Sequence, residues 1–324
     1  MPRPISDAVI VVTGASSGIG RATALAFARR GGTVVVAARR QPPLQALACQ
    51  CEGLGGRALA VPTDVNDEEA VRHLACRTLE AFGRVDVWVN NAAVTLFGRF
   101  EETPPDAYRR VIETNLFGYI HGARAALPHF REQGSGVLIN VASVAGRVGQ
   151  PYTSAYVTSK FAILGLSECL RQELHDADDV HVCTVLPASI DTPLFQHAAN
   201  YTGRAVKPLG PVYDVERAAE AIVRLVESPR REVIVGRAGR GLLLLRTLAP
   251  ASVERFMAKR VEQDHFQERA AEPSPGNVFE PMPQYTDIRG GWKPPRTRSA
   301  LGFATVGLTV LGLGLVAWWR ARQV

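Results

Sequence analysis

Residues 8–30 hold the pattern that most limits how this chain can fold. Ala8 to Val12 is a short β-branched run, Thr13-Gly14-Ala15-Ser16-Ser17-Gly18-Ile19-Gly20 follows, and an alanine-rich helical pattern continues to Arg30. Strand, glycine-rich turn and helix in that order bring backbone N–H groups and a helix N-terminus to one point, which suits an anionic pyrophosphate. Glycines there let the backbone turn sharply and approach a ligand closely. Such a turn gains meaning only from a strand before it and a helix after it, and both are present.

The alternation then repeats. Strands are expected at Thr33 to Ala38, Ala58 to Pro62, Val85 to Val89, Gly136 to Val141, Val180 to Leu186 and Glu232 to Gly236. Helices are expected near Leu44 to Cys51, Glu68 to Phe82, Asn115 to Phe130, Tyr156 to His175 and Val215 to Glu227. Near-continuous apolar strands separated by helices indicate an α/β fold, a doubly wound, Rossmann-like parallel sheet with helices on both faces. Polar residues at the carboxyl ends of successive strands then gather along one edge, where open α/β sheets bind ligands.

Composition excludes several classes. The 324 residues are 46% hydrophobic and 21% charged, a globular balance, and the net charge of +6 is carried almost wholly by scattered arginines. No basic run interleaved with aromatics suggests nucleic acid. Five cysteines, at 49, 51, 76, 169 and 183, form no CxxC pair, and the seven histidines show no metal-ligand spacing. Reduced thiols and no metal are expected. No apolar leader precedes the first strand, so synthesis in the cytosol is expected.

Two further patterns carry chemistry. The second strand ends at Arg39-Arg40, where many dinucleotide folds carry an acid for the ribose hydroxyls. A guanidinium cannot accept those protons but can pair with a 2′-phosphate, which favours NADP(H) over NAD(H). A solvated arginine pair is the plainer alternative. In Tyr156-Val157-Thr158-Ser159-Lys160 a phenol and an ammonium share one helix face. A nearby cation lowers a phenol from its usual pKa of about 10 toward the range of useful proton transfer, although ordinary helices also contain such pairs.

The ordered set Thr13 to Gly20, Asp64, Asn90-Asn91-Ala92, Asn115, Ser143, Tyr156 and Lys160 resembles the short-chain dehydrogenase/reductase family of classical type, from about Ile5 to Gly236. The resemblance implies that Asn115, Ser143, Tyr156 and Lys160 form the catalytic group. It further implies that Gly14, Ser16, Ser17, Gly18, Ile19 and Gly20 line the pyrophosphate, that Asp64 and Val65 meet the adenine, and that Asn91 and Ala92 border the adenosine ribose. Tyr156, Lys160, Pro187, Ile190 and Thr192 would complete the cofactor contacts, and a homodimer or homotetramer is implied. Two positions depart from the family pattern: Ala93 and Ala188 each add a methyl where glycine is frequent, which would disfavour a positive φ.

Hydride would move between the nicotinamide and a carbonyl or carbinol carbon while Tyr156 exchanges the proton on oxygen. The variable segment from Leu194 to Pro211 mixes apolar and neutral polar groups, so a small hydrophobic alcohol or carbonyl substrate is expected. His197, within it, reads as lid packing or surface, with a substrate contact as the alternative. A non-catalytic NADP(H)-binding sensor or scaffold at a membrane is the competing function.

Beyond the catalytic domain, 1–240, the chain continues for a further segment of three parts. In 241–272 an apolar run, Gly241 to Leu245, precedes Val253, Phe256, Met257 and Val261 at helical spacing. This amphipathic extension either packs on the domain or a partner subunit, or rests in a membrane interface. Residues 273–299, rich in proline, read as an extended, mobile linker. Residues 300–319 carry no charge and would span about 30 Å as a helix, followed by Arg320 and Arg322. A single C-terminal membrane helix is therefore expected, with the enzyme on the cytoplasmic side because more positive charges precede the span than follow it.

Overall fold

Val9 to Thr13, buried along its whole length, is the central strand β1 of a seven-stranded sheet in a computed structural model that describes residues 4–293. The sheet elements continue as α1 (Gly18–Ala28), β2 (Thr33–Ala38), α2 (Gln41–Gly53), β3 (Arg57–Pro62), α3 (Glu68–Phe82) and β4 (Val87–Asn90). After a two-residue strand, β5 (Leu96–Phe97), come α4 (Pro105–Ile112), α5 (Gly118–Gln133), β6 (Gly136–Val141), α6 (Ser154–Glu173) and β7 (Val180–Pro187). Two more short strands, β8 (Ala199–Asn200) and β9 (Arg204–Val206), precede α7 (Val215–Glu227) and β10 (Glu232–Val235). The chain then adds α8 (Arg237–Leu248), α9 (Pro250–Asp264) and β11 (Phe266–Ala270).

All seven strands of the main sheet are parallel, in the order β10-β7-β6-β4-β1-β2-β3. Successive β1 side chains serve opposite faces. Ile10 and Val12 join Leu25 of α1, Leu44 of α2 and Ile222 of α7, while Val9 and Val11 join Leu74 of α3 and Ala126 of α5. The doubly wound expectation therefore holds. Strand order reverses between β1 and β4, which opens a cleft at their carboxyl ends. The α3 boundaries follow from its caps: Asp67 accepts from the amides of Glu69 and Ala70, and Gly83 at φ 74° ends the helix.

The helix expected from Asn115 begins earlier, at Pro105. Proline suits the first turn, and Ala107 and Val111 bury one face. A π-turn over Glu113–Phe117 then joins α4 to α5 and carries Asn115. The α9 extension packs on the domain, one of its two expected dispositions. Val253, Met257 and Val261 are buried against Phe97, Val148, Val206 and Phe266, and β11 pairs with β9. Phe256, expected on the same face, is 50% exposed instead, one position round from Met257.

The proline-rich segment departs from expectation over 273–293. It lacks helices, as its prolines require, but it is pinned to the domain rather than mobile. Val278 is fully buried, and backbone carbonyls of the segment accept hydrogen bonds from Arg39, Arg40 and Gly18. Residues Met1–Lys293 form one compact unit, so packing shows no break at 240. Among the described residues no helix is long and apolar enough to cross a membrane. The expected span at 300–319 lies outside the described residues.

Candidate active site

Tyr156 sits in the first turns of α6, half-buried beside Val94, Leu96, Ala155 and Tyr201, with its hydroxyl hydrogen-bonded to Ser143. Ser143 is held at the end of β6, where its Oγ accepts from the Ala145 amide at 3.1 Å and donates to the Pro187 carbonyl at 3.4 Å. One turn beyond Tyr156, the fully buried Lys160 places its Nζ 5.5 Å from the Tyr156 ring centre and 5.1 Å from that of Tyr119. Its hydrogen bonds go to the Val141 carbonyl at 2.9 Å and the Tyr119 hydroxyl at 3.4 Å.

Asn115 is wholly buried in the π-turn. Its amide clamps residue 94, accepting from the Val94 N–H at 2.8 Å and donating to the Val94 carbonyl at 2.9 Å. It also donates to Ser159 Oγ at 3.1 Å, and Ser159 donates to the Tyr156 carbonyl at 2.7 Å. The extra residue of a π-turn aims a side chain out of the regular ladder, a device frequent at functional sites.

The electrostatics reverse one expectation. Burial pushes the Tyr156 phenol up to about 12, with the Ser143 hydrogen bond pulling the other way, instead of the lowering expected from Lys160. Burial also draws the Lys160 ammonium down to about 7. An ammonium that bonds to a carbonyl and a neutral phenol has no carboxylate to keep it charged, so desolvation wins at both groups.

The glycine turn is shaped by close approach. Gly14 adopts φ +65°, and a Cβ there would lie 2.6 Å from the Ala92 Cα; one on Gly20 would lie 2.5 Å from the Gly14 carbonyl oxygen. Asn91 fixes the turn by donating to the Thr13 and Gly14 carbonyls at 2.9 and 3.3 Å. Neither Ala93 nor Ala188 adopts a positive φ, so their methyls introduce no strain. At the next strand end Asp64 accepts from both Asn66 nitrogens, and the Val65 carbonyl meets the His121 ring at 2.9 Å. Ile190 bridges to Tyr213, and the Thr192 carbonyl accepts from Trp292.

Residues 8–201 match the family model for short chain dehydrogenase. The chain is a short-chain dehydrogenase/reductase. It is similar to the uncharacterized oxidoreductase YxnA of Bacillus subtilis, 36% identical over 99% of this chain and 92% of that one. Dehydrogenase/reductase SDR family member 7B of Bos taurus is 31% identical over 80% of this chain and 83% of its own. Among solved structures, an alcohol dehydrogenase from Thermococcus sibiricus complexed with 5-hydroxy-NADP matches with TM-score 0.61 and 30% identity, over 70% of this chain and 95% of that chain. A short-chain dehydrogenase/reductase from Burkholderia phymatum in complex with NAD matches with TM-score 0.70 and 26% identity, over 84% and 99%.

This short-chain dehydrogenase/reductase is thus an oxidoreductase of the nicotinamide-dependent type, and its cleft fits such a cofactor. At the glycine turn the Gly18 N–H, at the N-terminus of α1, is accepted by the Asp287 carbonyl at 3.0 Å, a donor of the kind a pyrophosphate takes. Arg40 lies close enough to Arg39 and Arg21 to feel their charge, the carboxylates of Asp64 and Glu280 act on Arg39, and among the described residues none of the three arginines forms an ion pair. Arg40 also donates to Ser16 Oγ at 3.1 Å. A cationic cluster with only neutral hydrogen-bond partners suits an anionic group.

Several contributors escaped the sequence reading. Tyr119 follows Asn115 by one helical turn and Ser159 follows Tyr156 by three residues, spacings that were visible but not distinctive. The segment 277–292 read only as part of a proline-rich linker, because its contacts to Arg39, Arg40 and Gly18 are made by backbone carbonyls.

Proposed function

We propose that the protein is an NADP(H)-dependent oxidoreductase that interconverts an alcohol, primary or secondary, and a carbonyl on a hydrophobic substrate, next to a membrane. The observation that carries the reading is the Tyr156 hydroxyl, bonded to Ser143 and one turn from Lys160 at the mouth of the glycine-turn cleft.

A bound nicotinamide supplies or accepts the hydride. Tyr156 gives its proton to the carbonyl oxygen in reduction and takes it back in oxidation, and Ser143 holds that oxygen in place. Together they stabilise negative charge developing on the substrate oxygen, the largest single contribution expected of the protein. Lys160 holds the nicotinamide ribose and, when charged, eases loss of the tyrosine proton. Asn115 keeps the Val94 loop and the start of α6 in register through Ser159. Gly14, Ser16, Ser17, Gly18, Ile19 and Gly20 receive the pyrophosphate, Asp64 and Val65 the adenine, Asn91 and Ala92 the ribose, and Pro187, Ile190 and Thr192 the nicotinamide side. Arg39 and Arg40 receive the 2′-phosphate, supported by their lack of ion pairs.

The apolar surroundings of Tyr156 support a hydrophobic substrate, with Val94, Leu96, Tyr201 and Phe279 nearby. The membrane reading is supported by the sequence of 300–319 and by α8 and α9, whose Leu244, Leu245, Leu248 and Phe256 are exposed among Arg240, Arg246 and Arg255. Apolar side chains ringed by arginines suit the surface of an anionic bilayer. The catalytic domain would then lie on the cytoplasmic side.

The deciding experiment is NADPH oxidation by the detergent-solubilised protein against a panel of hydrophobic carbonyls, with the Tyr156→Phe variant in parallel. The variant is expected to lose turnover while binding NADPH nearly as well as the parent. Retention of most activity by Tyr156→Phe would refute the assignment. Release of the protein from membranes by alkaline carbonate, without detergent, would refute the anchor.

A further inference from the structure

Residues 277–292 cross the whole cofactor cleft. At the substrate end Val278 is fully buried in the cluster that holds Tyr156. The segment then passes the second strand's end, where the Asn277 and Phe279 carbonyls accept from Arg39 at 2.6 and 2.7 Å. The Met282 and Gln284 carbonyls accept from Arg40 at 2.6 and 2.9 Å. Farther along, the Asp287 carbonyl accepts the Gly18 N–H at 3.0 Å, at the N-terminus of α1. Beyond the cleft the Trp292 indole N–H is shared between the Thr192 carbonyl and Gln196 Oε1, each at 3.1 Å. Between these anchors Tyr285 is held at φ 57°, a left-handed conformation unfavourable for a residue other than glycine.

We propose that residues 277–292 form an autoinhibitory strap that restrains NADP(H) binding, because its backbone carbonyls hold the guanidiniums of Arg39 and Arg40, and a 2′-phosphate is the part of a nicotinamide cofactor that competes for them. The inference rests on the reading that these two arginines receive the 2′-phosphate. A carbonyl is a neutral acceptor, whereas a phosphate carries charge and accepts from a guanidinium in a two-pronged geometry, so the exchange favours the phosphate. A cofactor without the 2′-phosphate gains nothing at these arginines and leaves their strap contacts in place. Cofactor entry and strap docking therefore oppose each other. The opposition falls chiefly on NADP(H).

The test uses the full chain. Trp292→Ala removes the strap's lid anchor. Gly290→Ala displaces the same end, since a Cβ there would lie 2.3 Å from the Thr192 carbonyl oxygen. Both variants are expected to bind NADPH about tenfold more tightly than the parent, and NADH by less than about threefold, because strap contacts to a charged group no longer have to be broken. Weaker or unchanged NADPH binding in both would overturn the proposal, since a strap that merely roofs the cofactor predicts weakening. Hydrogen exchange on the unaltered chain gives a second reading that no folding defect can obscure. Adenosine 2′,5′-bisphosphate is expected to speed exchange in peptides covering 279–284, and adenosine 5′-monophosphate to leave it unchanged there. Equal effects of the two nucleotides would overturn the role of the arginines. A parent chain that binds NADH as tightly as NADPH would remove the 2′-phosphate reading itself, whereas strong NADPH preference with no change in variants or exchange would remove the strap alone.

Discussion

Lys160 lies one helical turn from Tyr156, yet its ammonium donates to the Val141 carbonyl, 2.9 Å away, rather than to the phenol. With burial drawing it down to about 7, Lys160 is cationic below that pH and increasingly neutral above it. The Tyr156 phenol, pushed up to about 12 by burial, keeps its proton throughout the neutral range. For carbonyl reduction, kcat/KM for NADPH reports the free enzyme and is expected to fall as pH rises through about 7, where the Lys160 charge is lost. Lys160→Met should abolish this limb and lower activity at least about hundredfold. A flat parent profile between pH 6 and about 9 would show that the Lys160 charge is not required.

Asn115 satisfies both backbone groups of Val94 and reaches Ser159, all in a buried setting. Removing the amide leaves several buried polar groups without partners, at about 1–3 kcal/mol each before relaxation. Asn115→Ala is therefore expected to lower the urea midpoint of unfolding and to reduce kcat more than it raises KM for NADPH, because α6 carries both Ser159 and Tyr156. Asn115→Asp keeps the size but cannot donate, and should behave similarly. An unchanged midpoint in both variants would contradict the clamp.

Gly122 tests the layer beneath the site. A Cβ there would lie 2.1 Å from Asn90 Oδ1 and 2.6 Å from Trp88 Nε1. Asn90 accepts from that indole at 2.9 Å and donates to Asn140 Oδ1 at 3.0 Å, and Asn140 donates to Ser167 at 2.9 Å. Alanine ordinarily favours a helix over glycine by about 1 kcal/mol. Here overpacking and the broken network outweigh that gain, and Gly122→Ala is expected to destabilise the fold by about 3 kcal/mol. Chemical denaturation measures it, and a stabilised variant would show that propensity prevails.

Much of this arrangement was legible because it is written in period and order. The apolar runs at Val9, Thr33, Gly136 and Val180 could be satisfied only by strands covered on both faces, and the polar residues that end them reach one edge by topology alone. The four residues expected to be catalytic needed only their spacing and their family order. What stayed hidden depends on competition between environments. Nothing in the Tyr156–Lys160 spacing says that desolvation outweighs a neighbouring ammonium. Proline content announced an irregular chain at 273–293 but not that its carbonyls would meet Arg39 and Arg40. Side chains 240 residues away supply those donors, and local pattern does not register them.

His265 supplies a pH test remote from the proton-transferring groups. The ring is 2% exposed, its Nδ1 donates to the Lys207 carbonyl, and its Nε2 accepts from the Gln150 amide at 2.9 Å. Burial, against the opposing pull of the Lys207 carbonyl, depresses it to about 4, and the Lys207 charge acts in the same direction as burial. The neutral ring is thus the form that folds. Its contribution is complete above the unfolded-state pKa of about 6.5 and is lost as pH falls toward about 4, because the unfolded chain then binds a proton that the native chain refuses. The loss is expected to reach about 2 kcal/mol by pH 5. Replacing the ring by His265→Leu should lower stability at pH 7.5, where the two ring hydrogen bonds are lost, and flatten the decline between about pH 6.5 and 5 relative to the parent. Urea midpoints of both proteins at the two pH values measure the difference, and parallel declines would show that His265 is protonated without cost in the folded state.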